Sequence, residues 1–347
     1  IKIDAVMSLS TDVPLTVSKV AKKLNLNSIP IKAAKIFSNK YLMKKELSKI
    51  RVAIPKFFLI KTSRDLKNKL KLINKGVIKP VDSRGARGVH IISKNNKNLD
   101  ELFKSSKSFS NKKKLILEEY LKGQQLSTES IISNYSVKTV GISDRNYEFL
   151  KRFEPNIIEN GSDLPSKRSK QFYSQINKII YKVCKKFKIK NGTIKGDLVI
   201  HKNKIYSIEF APRLSGGYFS SIMIPKSSGI NLVELAIKIH LGEIIDLKSV
   251  KDQNTKFVTQ RFFFPKPGKV KNFLFSKKII QNNNVAYFEC NVKKNSEIKK
   301  VTNHTDRAGQ VIVVSNTRKK SIRIAKKFVI MLKFKQFKNE ISYYRNK

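Results

Sequence analysis

The stretch Lys195-Gly196-Asp197-Leu198-Val199-Ile200-His201-Lys202-Asn203-Lys204-Ile205-Tyr206-Ser207-Ile208-Glu209-Phe210-Ala211-Pro212-Arg213 reads as two strands joined by a tight turn. β-Branched and aromatic residues alternate with polar ones on both sides of Lys202-Asn203-Lys204, which is the pattern of a hairpin. Side chains alternate along a strand, so Leu198, Ile200, Tyr206 and Ile208 share one apolar face that belongs in a core. Asp197, Val199, Ser207 and Glu209 share the other face. A hairpin symmetric about Asn203 sets Asp197 directly across from Glu209, with Cβ atoms about 5 Å apart, where like charges destabilise. A hard cation such as Mg²⁺ is the natural partner for two facing carboxylates. Two solvated acids beside neighbouring lysines are the plain alternative, and a different turn would shift the register by one residue and undo the pairing. Arg213 has the parity of Glu209 and stands beside Leu214-Ser215-Gly216-Gly217, a loop open enough for backbone to approach a ligand.

Upstream, Gly76-Val77-Ile78-Lys79-Pro80 reads as a strand ended by proline. Asp82-Ser83-Arg84-Gly85-Ala86-Arg87-Gly88-Val89 follows. Glycines let backbone N–H groups approach phosphate oxygens, and Lys and Arg add charge. The spacing is not that of a Walker loop, and an ordinary β-turn explains it equally. Glu118-Glu119-Tyr120-Leu121 closes a strand that begins at Leu115. Strands are also expected over Ile3–Met7, Ile54–Ile60, Ser127–Ile132, Val137–Ile142, Phe257–Phe264, Val285–Val292 and Ala308–Ser315. Helices are expected from Thr16 with Val17, Val20, Ala21 and Leu24, over Ser38–Leu47, Asp65–Ile73, Phe172–Phe187 and Leu232–His240, and over Lys319–Lys333. The fold class is therefore mixed α/β (α+β).

The 347 residues suffice for two or three domains. The chain starts at Ile1, without Met and inside an expected strand, which suggests a fragment whose start is missing. No apolar run approaches the roughly 18 residues of a membrane helix, and two cysteines make no disulfide scaffold. A cytoplasmic location is the default. The net charge of +48 invites a basic nucleic-acid-associated protein. Composition argues against it: 60 of the 73 cations are lysines, scattered along a chain also rich in Asn and Ile, as AT-rich codons produce. The four histidines show no ligand spacing, and no Ser-His-Asp arrangement can be assembled.

Taken in order, these segments resemble the ATP-grasp superfamily, in particular carboxylate–amine ligases related to biotin carboxylase and carbamoyl-phosphate synthetase. Asp4-Ala5-Val6 through Asp12-Val13-Pro14 is similar to the end of that family's N-terminal Rossmann-like domain. Ser38-Asn39-Lys40 resembles its phosphate-binding lysine motif, and Val77-Ile78-Lys79-Pro80 its second ATP lysine. Arg84, Gly85, Ala86, Arg87 and Gly88 fall in the glycine-rich lid. Glu118, Glu119, Tyr120 and Leu121 resemble the adenine hinge, with the backbone of Glu119 and Leu121 on the base. Asp197 and Glu209 fall on the two metal-binding acids, and Arg213 on the arginine that follows them. Ala211 stands where many relatives carry a metal-binding Asn, and it has no donor to offer.

The resemblance implies a remnant of the N-terminal domain over 1–37, an ATP-grasp domain over 38–245 with a lid at about 50–118, and a small β-rich C-terminal domain with a closing helix over 246–347. It implies ATP and one or two Mg²⁺ ions, with Mn²⁺ as a substitute. It implies that a small-molecule carboxylate becomes an acyl phosphate and then passes to an amine. Lys40, Lys79 and the metal would offset phosphate charge, and Arg213 would hold the acyl-phosphate oxygens. Arg145 would meet a substrate carboxylate, and Ser215, Gly216 and Gly217 would border the substrate. Ammonia or a thiol as acceptor is an alternative within the family, and a homodimer is compatible with it.

Overall fold

The computed structural model describes residues 1–253, 255–274, 279, 281–336 and 341–343. Residues 1–13 contain neither helix nor strand, so the strand expected at Ile3–Met7 is not formed. Ile3 is largely exposed, and an extended segment with no neighbouring strand has nothing to pair its backbone with. Helix α1 (Pro14–Lys23) starts before Thr16, because Pro14 already has the φ of a first helical residue and loses no hydrogen bond there. Val20 and Leu24 face solvent, while Ala21 is buried. Helix α2 (Ile31–Phe37) precedes α3 (Lys40–Lys49). The Asn39 side chain accepts from the Leu42 N–H at 3.1 Å, and this cap, not Ser38, opens α3 and puts Lys40 in its first turn.

The chain then builds a four-stranded antiparallel sheet from β1 (Phe57–Ile60), β2 (Lys75–Pro80), β3 (His90–Ser93) and β4 (Leu115–Glu119), in the order β1-β4-β2-β3. Helices α4 (Ser63–Leu70) and α5 (Leu99–Ser108) cover one face. Leu66, Leu70, Leu102 and Phe103 meet Ile60, Ile78, Leu115 and Leu117 there. Each such fully buried side chain contributes about 1.5–3 kcal/mol. Helix α4 begins ahead of Asp65 because Thr62 and Asp65 form a reciprocal capping box.

Next come β5 (Gln124–Ser133), β6 (Ser136–Asn146), the single turn α6 (Leu150–Phe153), β7 (Gly161–Leu164), α7 (Ser169–Phe187), β8 (Gly192–His201), β9 (Lys204–Ala211), a π-helical turn Phe219–Met223, α8 (Ile224–Ser228) and α9 (Leu232–Leu241). The last third adds β10 (Phe257–Phe262), β11 (Gly268–Leu274), β12 (Val285–Cys290), β13 (Glu297–Ile298), β14 (Gly309–Ser315), α10 (Arg318–Met331), β15 (Lys333–Gln336) and β16 (Ile341–Tyr343). Eight of these strands make one antiparallel sheet, β12-β14-β10-β7-β6-β5-β8-β9. Three strands of the C-terminal third therefore continue the central sheet, and only β11, β13, β15 and β16 form a sheet of their own. Along β5, Leu126 and Ile132 pack with Phe172, Ile176 and Ile180 of α7, while Ile131 points to the opposite core with Phe219, Leu232 and Ile239.

The β8–β9 hairpin departs from a symmetric reading in an instructive way. It turns on two residues, Lys202 and Asn203, with φ of 47° and 58°, and His201 pairs with Lys204. That register alone would set Asp197 against Ile208. A bulge opposite the Asp197–Leu198 step restores the Asp197–Glu209 pair. The shorter turn also shifts the parity of β9. Ile205 and Phe210 enter the core with Leu198 and Ile200, while Tyr206 and Ile208, expected there, remain half-buried. At the bulge, the Ser207 N–H donates to the Ala53 carbonyl at 2.8 Å.

Candidate active site

Between the four-stranded sheet and the β8–β9 hairpin lies a cavity of about 230 Å³. Strand β2 brings Lys79 to it, and the N-terminus of α3 brings Lys40. The loop after β2 supplies Arg84, Gly85, Ala86 and Arg87. Glu118, Glu119, Tyr120 and Leu121 come from the end of β4, and Arg145, Asp197, Glu209 and Arg213 complete the wall. Gly88 is not part of this wall. A Cβ there would come within 3.0 Å of the Phe109 ring and 3.1 Å of Ser106 Cα, so Gly88 is where the loop packs on α5. A second cavity, about 560 Å³, adjoins the first. Ser215, Gly216 and Gly217 line it, and Arg84, Gly85, Arg87, Arg145, Lys195, Arg213 and His304 border both.

Lys40 Nζ donates to the Ser83 carbonyl at 2.7 Å and lies 3.1 Å from Glu209 Oε1. Burial alone would lower its pKa, but Glu209 and Asp12 outweigh that and raise it, so Lys40 stays charged. Lys79 Nζ lies 3.0 Å from Glu118 Oε2. Gly85, Ala86 and Gly88 have φ of 66°, 57° and 67°, and this left-handed run turns the loop toward the cavity. The loop is tied at both sides. Arg84 donates to the Asp12 carbonyl at 2.9 Å, and the His304 N–H donates to the Gly85 carbonyl at 3.0 Å.

The facing acids are not left to repel each other. Lys195 Nζ lies 2.5 Å from Asp197, Arg145 Nη1 lies 3.3 Å away, and Ser127 Oγ donates at 3.2 Å. Burial pushes the Asp197 carboxyl up, yet Lys195 and Arg145 bring it well below the usual carboxylate range. Glu209 is likewise lowered, with Lys40, Lys79 and Lys195 prevailing over burial. The repulsion expected of the facing acids is therefore met without metal, by Lys195 two residues away on β8 and by Arg145, which the fold brings in from β6. Arg145 is already engaged as well: it bridges Asp197 and Glu159, the latter at 2.9 Å. Arg213 Nε lies 3.3 Å from Asp12 Oδ1, and its Nη1 donates to the Leu214 carbonyl at 2.9 Å. The Ser215 N–H donates at 3.0 Å to Glu129, whose fully buried carboxyl is pushed by desolvation up to about 7.

The structure also brings in residues that the sequence left unmarked. Arg307 donates to the Glu159 carbonyl at 2.7 Å and stacks 3.7 Å over the Phe262 ring. His304 is half-buried, and desolvation together with Arg307 and Arg145 keeps its imidazole well below the ordinary range and so neutral. Ile208, turned outward by the bulge, lines the first cavity with Val199. Arginine scarcity was the usable signal. Of the chain's 13 arginines, Arg84, Arg87, Arg145, Arg213 and Arg307 line the second cavity. Planar guanidinium forks gathered in this way have the geometry that suits a bidentate anion.

The residues present suit a divalent hard cation. Asp197 and Glu209 are paired across the hairpin and open on the cavity that Lys40 and Lys79 share. Among the described residues, no three His, Cys, Asp or Glu gather into a closed cage. Two carboxylates with the remaining positions left to phosphate oxygens and water is the arrangement Mg²⁺ favours.

Residues 37–217 match the model of the ATP-grasp domain, and residues 261–335 match L-amino acid ligase C-terminal domain 2. The chain is 23% identical over 240 residues to a D-alanine–D-alanine ligase of Wolbachia pipientis wMel, covering 64% of this chain and 70% of that one. In fold it is similar to the L-amino acid ligase from Bacillus licheniformis, with a TM-score of 0.82, 17% identity and coverage of 96% and 81% of the two chains. It is also similar to biotin carboxylase from Campylobacter jejuni, with a TM-score of 0.69, 17% identity and coverage of 96% and 74%. The ATP-grasp match alone takes in more than half of the residues, so the chain belongs to the ATP-grasp family and is an ATP-dependent ligase that activates a carboxylate for attack by an amine or a similar nucleophile.

Proposed function

We propose that this ligase joins the carboxylate of one amino acid to the amine of a second small molecule that itself carries a carboxylate, releasing ADP and phosphate. The observation that carries the reading is the shared wall of the two cavities. The first has the lysines, loop and hinge that suit ATP, and the second has five arginines and no more than a few acids. The likeness to D-alanine–D-alanine ligase and to an L-amino acid ligase supports amino acids as the substrate class. The domain division proposed is 1–37, 38–245 and 246–347, with the central sheet running through the second boundary.

In this reading Lys40, Lys79, Arg84 and Arg87 hold the triphosphate, and Glu119, Tyr120 and Leu121 take the adenine. Asp197 and Glu209 hold one Mg²⁺, since Ala211 adds no donor. When bound, the ion supplies charge neutralisation at the phosphate oxygens. The substrate carboxylate attacks the γ-phosphoryl group, giving an acyl phosphate and ADP. The amine then attacks the acyl carbon, phosphate leaves with the bonding electrons, and the amine gives up a proton. Arg213 faces the acyl-phosphate oxygens as charge develops, worth about 2.7–4 kcal/mol for one such donor. Arg145 and Arg307, which share Glu159, hold the acceptor's carboxylate.

The test is phosphate release with Mg²⁺ and ATP against pooled amino acids, with mass spectrometry of the products. A condensed product formed in step with ADP is expected. Phosphate release that needs ammonia or a thiol, with no amino acid pair active, would replace the amine acceptor. Steep salt-dependent retention on DNA without any turnover would replace the ligase reading for this chain.

A further inference from the structure

Lys44 lies one turn after Lys40 in α3, and it is fully buried, at 0% exposure. Its ammonium donates to the Ser207 carbonyl at 2.7 Å and stands 3.6 Å from Glu118 Oε1. The other oxygen of Glu118 lies 3.0 Å from Lys79 Nζ. Glu118 is itself 2% exposed, and Glu118 Oε1 has no hydrogen-bond partner of its own. Lys79 and Glu118 line the nucleotide cavity, and Lys44 stands behind them.

A buried ammonium is unfavourable, and an apolar side chain of similar volume would pack beside Met43 and Leu47 at lower cost. What it changes is the charge of a neighbour. Lys79 and Glu118 together are neutral, and a neutral pair offers little to a phosphate. Adding Lys44 leaves one net positive charge on the three groups, and Lys79 is the cation of the three that lines the cavity. The same ammonium holds the carbonyl of Ser207, whose N–H is bound to Ala53, and Ser207 is the residue at the bulge that sets Asp197 opposite Glu209. We infer that Lys44 is a positioning residue for nucleotide binding, acting through Glu118 to free the charge of Lys79 and through Ser207 to hold the bulge. This rests on the reading of the first cavity as the ATP site. Burial pushes Lys44 down to about 8, against the pull of Glu118, with Lys79 and Glu209 the other charges around it. Its charge, and with it the effect on Lys79, is present below that value and lost above it.

The test is calorimetry at pH 7 with two probes, adenosine and a non-hydrolysable ATP analogue with Mg²⁺, on the full chain. Lys44→Met should weaken the analogue by about tenfold or more and adenosine by no more than about twofold, because only the analogue carries phosphate charge. Lys44→Arg should retain the analogue within about threefold, and its affinity should not fall as pH rises through 8, as that of the wild type should. An equal loss for both probes, or no loss, overturns the inference. If Lys44→Met does not fold, the double variant with Glu118→Gln, which keeps one net positive charge on the three groups by leaving Lys79 as the cation, carries the test. Analogue binding within about threefold of wild type supports action through Glu118, and a loss of about tenfold or more contradicts it. A wild type that does not bind the analogue refutes the ATP-site reading itself, whereas a wild type that binds and a Lys44→Met that is unaffected refutes the role of Lys44 alone.

Discussion

Asp197 sits among more cations than acids, and this reverses what its removal does. Facing carboxylates read from sequence alone imply relief when one is neutralised. With Lys195 at 2.5 Å and Arg145 at 3.3 Å, Asp197→Asn instead strands Lys195 and leaves Arg145 to Glu159 alone, and it should destabilise the metal-free protein by about 1–3 kcal/mol in thermal melts. Turnover should fall by about 100-fold or more in both Asp197→Asn and Glu209→Gln. The sign with pH follows from the lowered carboxyl of Asp197. Its stabilisation is full above the unfolded value near 4 and is lost as pH falls through the lower folded value. The Asp197→Asn protein should therefore lose less stability between pH 5 and 3 than wild type. Glu129 behaves oppositely. Its folded pKa of about 7 lies above the ordinary 4.5, so its burial is harmless in acid and costs stability progressively as pH rises from 4.5 to 7. Melts of Glu129→Gln should lack that decline, and an identical pH profile in the variant would refute the assignment.

At the level of elements, the glycine-rich loop and the hairpin show how far sequence carries. Gly85 and Gly88 announce a turn, and their positive φ explains why. Their difference could not be read from the chain. A Cβ at Gly85 meets only Thr305 Cγ2 at 3.8 Å, whereas one at Gly88 strikes Phe109 and Ser106. Gly88→Ala should thus cost more stability than Gly85→Ala, which bears about 1 kcal/mol of backbone strain, and equal melting shifts would contradict the packing. Hydrogen exchange over residues 83–89 should slow with the ATP analogue and Mg²⁺, and unchanged protection at saturation would make the loop a plain turn. In the hairpin, the facing of Asp197 and Glu209 was legible but the route to it was not. Lys202-Asn203 lacks the glycine that marks a two-residue turn, so nothing local shows that the turn is short and that a bulge compensates. Ile208 was assigned to the wrong face for the same reason.

Across the whole molecule, the order of the motifs carried the fold, while long-range partners stayed hidden. Strand β10 pairs with β7, setting Thr259 against Asp163 some 96 residues earlier, and alternation alone names no partner at such distance. His304 and Arg307 reach the site through that pairing of the C-terminal strands, which is why neither was marked in advance. The net charge of +48 has its own consequence. Scattered like charges strain the compact state, so the melting temperature should rise by a few degrees between roughly 50 and 500 mM KCl, where the screening length shortens. A flat or falling trend would mean that ion pairs outweigh the repulsion. The central claim is that a substrate carboxylate takes the γ-phosphoryl group before the acceptor attacks. It is tested most directly with amino acids labelled with ¹⁸O in both carboxylate oxygens, supplied as a pool with ATP and Mg²⁺. The account predicts one ¹⁸O in each released phosphate, together with ADP and a condensed product. Unlabelled phosphate alongside that product would show that no acyl phosphate forms.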